Sequence, residues 1–403
     1  MSTLRIDHAT VVKIDAALPD SSVLVEDGRI GAIFPSSEAS AHPADETFDA
    51  RGAVLSPGFI DLHIHGLRKD SADHGPEGLA GMKRHLPEFG VTSWLATLCP
   101  VLPGRDAAEL AKLSASVKDQ TPADGAEVLG FHIEGPFLTL PGSLPPEALG
   151  LADPRRVRAL IDAARPFPLT FSIAPDYEDI LPLVQIMKLS GAPVFMTHTA
   201  ADVGQTLAAI AAGASHATHF YDVSPCPKVT EPGVRPSGYV EAVLASPEVS
   251  VDFILDGVHV DPIAVKMALQ CKGPDRVCLI TDAMIGSCGG TGQFLFGGYL
   301  VEFKGEGLPA RNAADPKRPP SSWNTLAGSG LSMNIAVRNA VRMLGVDLPL
   351  AVRMGSANPA RVAGFGHRKG RIAPGYDADL TLLDPDFHVL RTWVGGTLAY
   401  AVD

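Results

Sequence analysis

The sequence is poor in cysteine. Its 403 residues contain five, and no two of them have the C-x-x-C spacing of a zinc knuckle or a redox pair. Because the five are odd in number and scattered, we predict reduced thiols and no disulfide framework. They are Cys99, Cys226, Cys271, Cys278 and Cys288.

Long hydrophobic runs and an excess of basic residues are also missing. No stretch approaches the roughly eighteen apolar residues of a membrane span, and the opening MSTLRIDHATVVKID has no basic segment followed by an apolar core. Lys and Arg number 33 against 45 Asp and Glu, a formal net charge of −12, which disfavours a phosphate-backbone partner. We predict a cytoplasmic protein that binds neither nucleic acid nor membrane.

The 46% of hydrophobic residues is enough to bury one large domain, or one large and one small domain. Eight short apolar runs alternate with segments of helical spacing, which is typical of parallel strands joined by crossover helices and predicts a (β/α)₈ barrel. The runs are 53–62, 91–97, 127–133, 168–174, 193–197, 214–218, 251–255 and 276–281. The clearest helical segments are 105–118, 154–165, 179–190 and 202–212.

The two chain ends have a different pattern. Segments such as SSVLVEDGRIGAIF alternate apolar and polar residues and carry the Asp-Gly hairpin signal. Neither end is large enough to fold alone, so we predict one small β-sandwich domain built from both termini, residues 1–52 and 356–403. The barrel would then span residues 53–355.

Residues that bind metals follow the predicted strands. In such barrels the catalytic groups lie at the carboxyl ends of the strands. The ends here carry His63, His65, Glu134, His198, His219 and Asp282, with Asp256 and His259 beyond strand seven. Two histidines two positions apart on one strand point to the same side, and imidazole with carboxylate is a common ligand set for catalytic zinc or iron. A single strand-end histidine is more often a hydrogen-bonded core residue, and this is our interpretation of His74, His132 and His216.

Several motifs together resemble a known family. PGFIDLHIHG, GFHIEGPFL, THTAADVGQT, ASHATHFYD, DGVHVDP, LITDAM and TLAGSGLSMNIAVRN occur in the order and approximate spacing of the amidohydrolase superfamily. Within that superfamily they are most similar to the N-acetylglucosamine-6-phosphate deacetylases, and the likeness covers nearly the whole chain. The HIEGP element is the most specific, because it puts a carboxylate ligand on strand three, and PLTFSIAPD has no lysine of the kind that related cyclic-amide hydrolases use on strand four.

The resemblance implies a metal-dependent enzyme that hydrolyses the N-acetyl amide of an amino sugar. Glu134, His198 and His219 match the ligands of one divalent ion, and His63 and His65 would add a second. Zinc is the expected metal, with Fe²⁺ as the alternative and one or two ions open. Asp282 matches the catalytic carboxylate. Substrate contacts are expected from His259, Asp222, Val223 and Arg235, and a homodimer is expected.

The phosphate-binding region departs from the family. Thr230 stands where an Arg usually precedes EPG, and Asp222 stands where Asn is usual. The loop after EGP lacks a His that family members often have. Arg235, Lys228, Arg68 or Lys69 could supply the cation. An unphosphorylated N-acyl sugar or another small amide is therefore an alternative substrate, and a non-catalytic scaffold is a further alternative, which the complete set of ligands disfavours.

Overall fold

The computed structural model describes residues 3–402, and residues 1, 2 and 403, the ends of the predicted small domain, lie outside the described residues. Its centre is a sheet of eight parallel strands, each hydrogen-bonded to the next in chain order. Helices lie between the strands along the chain, so the predicted (β/α)₈ barrel is confirmed. The barrel strands, one to eight, are Phe59–Ile64, Val91–Leu98, Glu127–Ile133, Leu169–Ile173, Val194–Met196, Ala214–Ala217, Ser250–Ile254 and Val277–Ile280.

The barrel strands are short and almost entirely buried. They lie between helices on the outside and side chains in the barrel interior, so both faces favour apolar residues and their sequences run apolar without strict alternation. The pairing is in register at the seventh and eighth strands, where Val251 lies opposite Val277 and Asp252 opposite Cys278. Seven of the eight predicted runs coincide with these strands within three residues.

The exception is the first run. Residues 53–62, predicted as one strand, form two strands in two different sheets. Val54–Pro57 pairs with strands of the small domain, and Phe59–Ile64 is the first barrel strand. The break falls at Gly58, where the chain passes close to Thr92: a Cβ on Gly58 would lie 2.2 Å from the Thr92 Oγ1.

Substitution of Gly58 should therefore destabilise the junction between the two sheets. We expect Gly58→Ala to lower the free energy of unfolding by about 1–3 kcal/mol, the usual effect of an overpacked site, as measured by urea denaturation. Replacing Thr92 by Ala in the same chain removes two of the three nearest atoms and should recover part of the loss. An equal loss of unfolding free energy in Gly58→Ala and in the double variant Gly58→Ala, Thr92→Ala would contradict this explanation.

The α-helices agree with the sequence pattern. Asp202 caps its helix by accepting a hydrogen bond from the Gln205 backbone amide, and the Gln205 side chain accepts one from the Asp202 backbone amide. The α-helices are Gly75–His85, Asp106–Val117, Pro154–Ala164, Ile180–Met187, Val203–Ala212, Tyr239–Ala245, Pro262–Lys272, Met333–Asn339, Leu348–Gly355 and Ala357–Val362. Within residues 3–402 none is long and apolar enough to cross a bilayer.

Both ends of the chain build a second sheet of eight strands with its own core. Ile6, Val23, Leu55, Leu380 and Trp393 are among the residues buried there, so the predicted small β-domain from both termini is confirmed. Its strands are Thr3–Val12, Ala17–Glu26, Arg29–Pro35, Glu46–Asp49, Val54–Pro57, Leu380–Leu383, Val389–Val394 and Thr397–Ala401. For the domain limits we propose that the chain leaves the barrel between Ala363, which packs in the barrel core, and Ile372, which packs in the small core.

A three-stranded insertion follows the eighth barrel strand. Its strands are Gly292–Phe296, Tyr299–Phe303 and Arg311–Asn312. Phe296 and Val301 pack there with Leu144 and Met284, which belong to loops at the mouth of the barrel. A further pair of short strands, Gly66–Leu67 and Asp70–Ser71, follows the first barrel strand.

Candidate metal centre and active site

The first and eighth barrel strands meet at the mouth of the barrel. The Asp282 amide donates to the His63 carbonyl at 2.9 Å, which places the Asp282 side chain beside the histidines of strand one. Three residues at strand ends have left-handed backbone conformations, with φ of 46° at Asp282, 49° at His198 and 31° at His219. Residues with such strained backbone conformations are found mainly at functional sites, where the surrounding structure holds them in place.

Four histidine rings surround the Glu134 carboxylate. Glu134 Oε1 lies 2.9 Å from His219 Nε2 and 3.1 Å from His198 Nε2, and its Oε2 lies 3.0 Å from His65 Nε2. His63 Nε2 is 3.7 Å from Glu134 Oε1. All five side chains are buried. The structure thus brings the five predicted metal ligands to one place, on four different strands.

This donor set fits a divalent cation. Ligand atoms of His63, Glu134 and His219 lie within 4.8 Å of one another, and so do those of His63, His65 and Asp282. The Nε2 atoms of His63 and His65 face each other at 3.2 Å. The two groups share His63, and each combines imidazole nitrogen with carboxylate oxygen. Such donors suit zinc or iron, and the two groups together could hold one or two ions.

Hydrogen bonds on the far side of the rings assign the tautomers. His198 Nδ1 lies 2.7 Å from the Leu140 carbonyl, which can only accept, so Nδ1 carries the proton. Thr218 donates its hydroxyl proton to Asp252 and can therefore accept from His63 Nδ1 at 3.2 Å. In both rings Nε2 is left with a lone pair directed at the site, as a metal ligand requires.

The buried carboxylate of Asp252 supports this arrangement from below. It accepts from the His219 amide at 2.6 Å, from the Thr218 hydroxyl at 3.0 Å and from His216 Nε2 at 2.7 Å. Asp252→Asn would direct an amide N–H at one of these donors. We expect metal affinity to fall about 10- to 100-fold, the usual effect of changing the partners of metal ligands, as measured by competition with a chelator. The helix cap Asp153→Asn is the control, and unchanged affinity in Asp252→Asn would contradict the role.

The charges around the site shift several pKa values. Burial alone would raise the pKa of Glu134, but the adjacent histidines outweigh burial and hold it well below its usual range. Burial would lower the pKa of His219, and the hydrogen bond and charge of Glu134 raise it instead to about 9. Burial raises the pKa of Asp222 to about 7, because the opposing charges of His259 and His219 are weaker than the effect of burial.

The predicted catalytic carboxylate borders this cluster. Asp282 Oδ1 lies 3.5 Å from His63 Nε2 and 3.8 Å from His65 Nε2. Across the mouth, His259 Nδ1 lies 2.7 Å from Asp256 Oδ2. Among residues 3–402 the His259 Nε2 atom has no hydrogen-bond partner, although it is buried and its residue lines the same cavity.

The cavity at the metal centre is small, about 200 Å³. Asp222 and Val223 line it as predicted, and no lysine or arginine of the described chain does. Arg235 lies elsewhere: its side chain is 88% exposed and lies 3.3 Å from Glu241. The structure therefore brings together every predicted site residue except Arg235.

The three histidines predicted as core residues differ in burial. His132 and His216 are fully buried and hydrogen-bonded through both ring nitrogens, as predicted for core residues. The same prediction for His74 is wrong. His74 is exposed just before the helix Gly75–His85, because the chain has already left the barrel wall at that point.

The sequence of this chain is similar to those of known proteins. Residues 194–399 match the amidohydrolase family. The chain belongs to the amidohydrolase family. It is 31% identical to the N-acetylglucosamine-6-phosphate deacetylase of Bacillus subtilis (strain 168), over 99% of this chain and 97% of that protein. It is 32% identical to the N-acetylgalactosamine-6-phosphate deacetylase of Escherichia coli O157:H7, over 95% of both chains.

A solved structure resembles this amidohydrolase over its whole length. It is a variant of the N-acetyl-D-glucosamine-6-phosphate deacetylase of Mycobacterium smegmatis in complex with N-acetyl-D-glucosamine-6-phosphate, with a TM-score of 0.87 and 27% identity. The superposition covers all of both chains. This amidohydrolase therefore shares its barrel and its small domain with deacetylases of amino-sugar phosphates.

Two residues that shape the site were not predicted from the sequence. Asp252 lies inside an apolar strand, and the only signal was a charged residue in the middle of a run that should be buried on both faces. Phe296 lies on a hairpin that follows the eighth barrel strand, beyond the last of the predicted strand runs, 276–281.

Proposed function

We propose that this amidohydrolase hydrolyses the N-acetyl amide of an amino sugar, with N-acetylglucosamine-6-phosphate as the default substrate and glucosamine-6-phosphate and acetate as products. The observation that carries the proposal is the convergence of four histidines and Glu134 beside Asp282 in one small cavity. The full-length similarity to two sugar-phosphate deacetylases supports the substrate class.

The residues present suit a divalent ion, zinc first and Fe²⁺ as the alternative. Glu134, His198 and His219 would hold one ion, and His63 and His65 would add a second. When bound, such an ion supplies Lewis acidity and lowers the pKa of water to about 7.

Asp282 would move the proton in this reaction. Its carboxylate accepts a proton from the attacking water and later donates it to the leaving amine, which is a poor leaving group unless protonated. The side chain is placed for both steps, because it lies next to the histidine cluster and also lines the cavity.

His259 would bind the carbonyl oxygen. Burial alone would lower the pKa of His259, but the hydrogen bond and charge of Asp256 outweigh it and raise the pKa, which favours the doubly protonated ring. Nδ1–H then donates to Asp256, and Nε2–H is directed into the cavity, where it can stabilise negative charge on the oxygen.

Acetate release from N-acetylglucosamine-6-phosphate by the purified enzyme, with metal content measured on the same sample, tests the proposal. We expect turnover with at least one bound ion per chain. Stoichiometric metal without release of acetate from any N-acetylhexosamine, phosphorylated or plain, would refute it.

A second candidate substrate is the unphosphorylated sugar. Asp222 lines the cavity and no described lysine or arginine does, so a phosphate would meet there neither of the two side chains that usually pair with it. We expect that removing the 6-phosphate changes kcat/KM by less than about tenfold, because a phosphate–Arg pair is strong only where the cation is present.

This expectation is checked with paired substrates, N-acetylglucosamine and N-acetylgalactosamine, each with and without the phosphate. A preference above about a hundredfold for the phosphorylated forms, corresponding to roughly 2.7 kcal/mol, would establish the default substrate. It would also imply that a partner subunit or a loop movement brings a cation to the phosphate. A homodimer in the cytoplasm stays a prediction, and gel filtration with light scattering would measure the oligomeric state.

A further inference from the structure

A second cavity lies beside the metal cavity and is larger, about 580 Å³ against about 200 Å³. Its walls come from the segments that follow barrel strands one, two and three and from the helix Asp106–Val117. Most of the wall is apolar. Leu98, Val101, Leu102, Leu110, Ile133 and Leu160 all line it. Charged residues also line it, and two of its cations are paired with acids of the same wall: Arg156 with Asp106 at 2.7 Å and Lys112 with Glu109 at 3.2 Å. The cavity therefore offers space for an apolar group.

Phe296 separates the two cavities. Within residues 3–402 it is the only residue that lines both. Its side chain is buried, with 4% of its surface exposed, and its ring meets the His65 ring edge to face at a centroid distance of 5.0 Å. The hairpin tip after it is fixed against the wall, since a Cβ on Gly297 would lie 3.0 Å from Pro145. Phe296 thus forms the partition between the reaction centre and an apolar space.

The position of the partition matches one end of the proposed substrate. The predicted substrate contacts Asp222, Val223 and His259 follow strands six and seven, whereas most of the larger cavity follows strands one to three. In a barrel of eight strands these sets lie on opposite sides of the mouth. With the amide at Glu134 and Asp282, its carbonyl oxygen at His259 and the sugar toward Asp222 and Val223, the acyl group would point toward Phe296.

We propose that Phe296 determines which acyl groups this amidohydrolase removes, and that the cavity behind it holds a longer acyl chain once the ring is out of the way. The inference rests on the proposed function. With Phe296 in place only a short group such as acetyl fits. Without it, the same hydrolysis adds water across the C–N bond of an N-hexanoyl substrate and releases hexanoate and the free amine, with the chain buried against the leucines of the cavity wall.

The test compares N-acetyl- and N-hexanoylglucosamine-6-phosphate with the wild-type enzyme and Phe296→Ala. A single methylene changes discrimination in an apolar pocket by roughly 10- to 200-fold. We therefore expect the ratio of kcat/KM for hexanoyl over acetyl to rise at least about a hundredfold in the variant. Phe294→Ala is the matched control, because Phe294 lies on the same strand, packs on Phe303 and lines neither cavity. It should leave the ratio unchanged.

A second variant shows where the longer chain binds. Ala148 lies in the wall of the larger cavity and is buried. Refilling that space with Ala148→Phe in the Phe296→Ala enzyme should abolish the gain on the hexanoyl substrate. Because Phe296 contacts His65, metal content is measured for each variant, and Phe296→Leu serves as the milder change if Phe296→Ala loses metal.

The outcomes separate this inference from the proposed function. No acetate release by the wild-type enzyme would overturn both. Acetate release with an unchanged ratio in metal-loaded Phe296→Ala or Phe296→Leu would overturn the inference alone. A gain that persists after Ala148→Phe would also overturn it, because the longer chain would then lie elsewhere.

Discussion

Replacing Asp282 by Asn should lower kcat for amide hydrolysis by at least about 10³-fold, within the range of a group that acts as general base and general acid. The amide keeps the size of the side chain but cannot take a proton from water or return one to the amine. Asp282 Oδ1 lies 3.5 Å from His63 Nε2, farther than the carboxylate oxygens of Glu134 lie from its three nearest rings. We therefore expect metal content to stay at the wild-type level.

The measurement is single-turnover acetate release together with metal analysis of the same protein. Asp261→Asn is the matched control, since Asp261 caps the helix Pro262–Lys272 and Asn caps a helix about as well. Full activity in Asp282→Asn would refute its assignment. Loss of metal along with activity would instead make Asp282 a ligand.

The second large effect concerns stability. Lys369 is buried among three carboxylates, with Arg368 beside them, at the contact between the two domains. Its Nζ lies 2.5 Å from Asp379, 2.8 Å from Glu127 and 3.3 Å from Asp377. Glu127 begins the third barrel strand, and Asp379 directly precedes a strand of the small domain. Lys369→Met should lower the free energy of unfolding by about 3–5 kcal/mol, because Arg368 still pairs with Glu127 and Asp377 but the buried carboxylate of Asp379 loses its cation.

Urea denaturation measures this loss, which is a large part of the roughly 5–15 kcal/mol of a typical protein. Lys112→Met is the control, since Lys112 forms only an exposed pair with Glu109 and should change stability by less than about 1 kcal/mol. Adding Asp379→Leu to Lys369→Met removes the carboxylate left without a cation and should recover part of the loss. A loss below about 1 kcal/mol in Lys369→Met would show that water replaces the cation.

The barrel strands could be predicted because each carries its own signal. A strand buried on both faces needs an apolar run such as 276–281, whatever its neighbours are, and a helix such as Asp106–Val117 needs its spacing of leucines and its polar start. The candidate ligands were found for the same reason. His63, His65, His198 and His219 each follow such a run, and the carboxyl ends of parallel strands all face one way.

Other features depended on distant parts of the chain. The run 53–62 was apolar throughout, but Gly58 and the crowding at Thr92 divide it between two sheets, and Thr92 belongs to another strand. His74 looked like the core histidines His132 and His216, and its exposure follows from the path of the chain after strand one. Arg235 was predicted to bind substrate from its position along the chain, and the structure places it on the surface.

The sequence by itself determined the class of fold and the candidate residues at the strand ends, Asp282 among them, because strand and helix patterns and the residues that end them are local properties. Only the tertiary structure decided which of these groups line the same cavity and that no described lysine or arginine lines it. Only the tertiary structure also showed that Phe296 separates this cavity from a larger one. These properties depend on distances between side chains that are far apart in the sequence. Those distances are fixed only in the folded barrel, in which the first and eighth strands meet at His63 and Asp282.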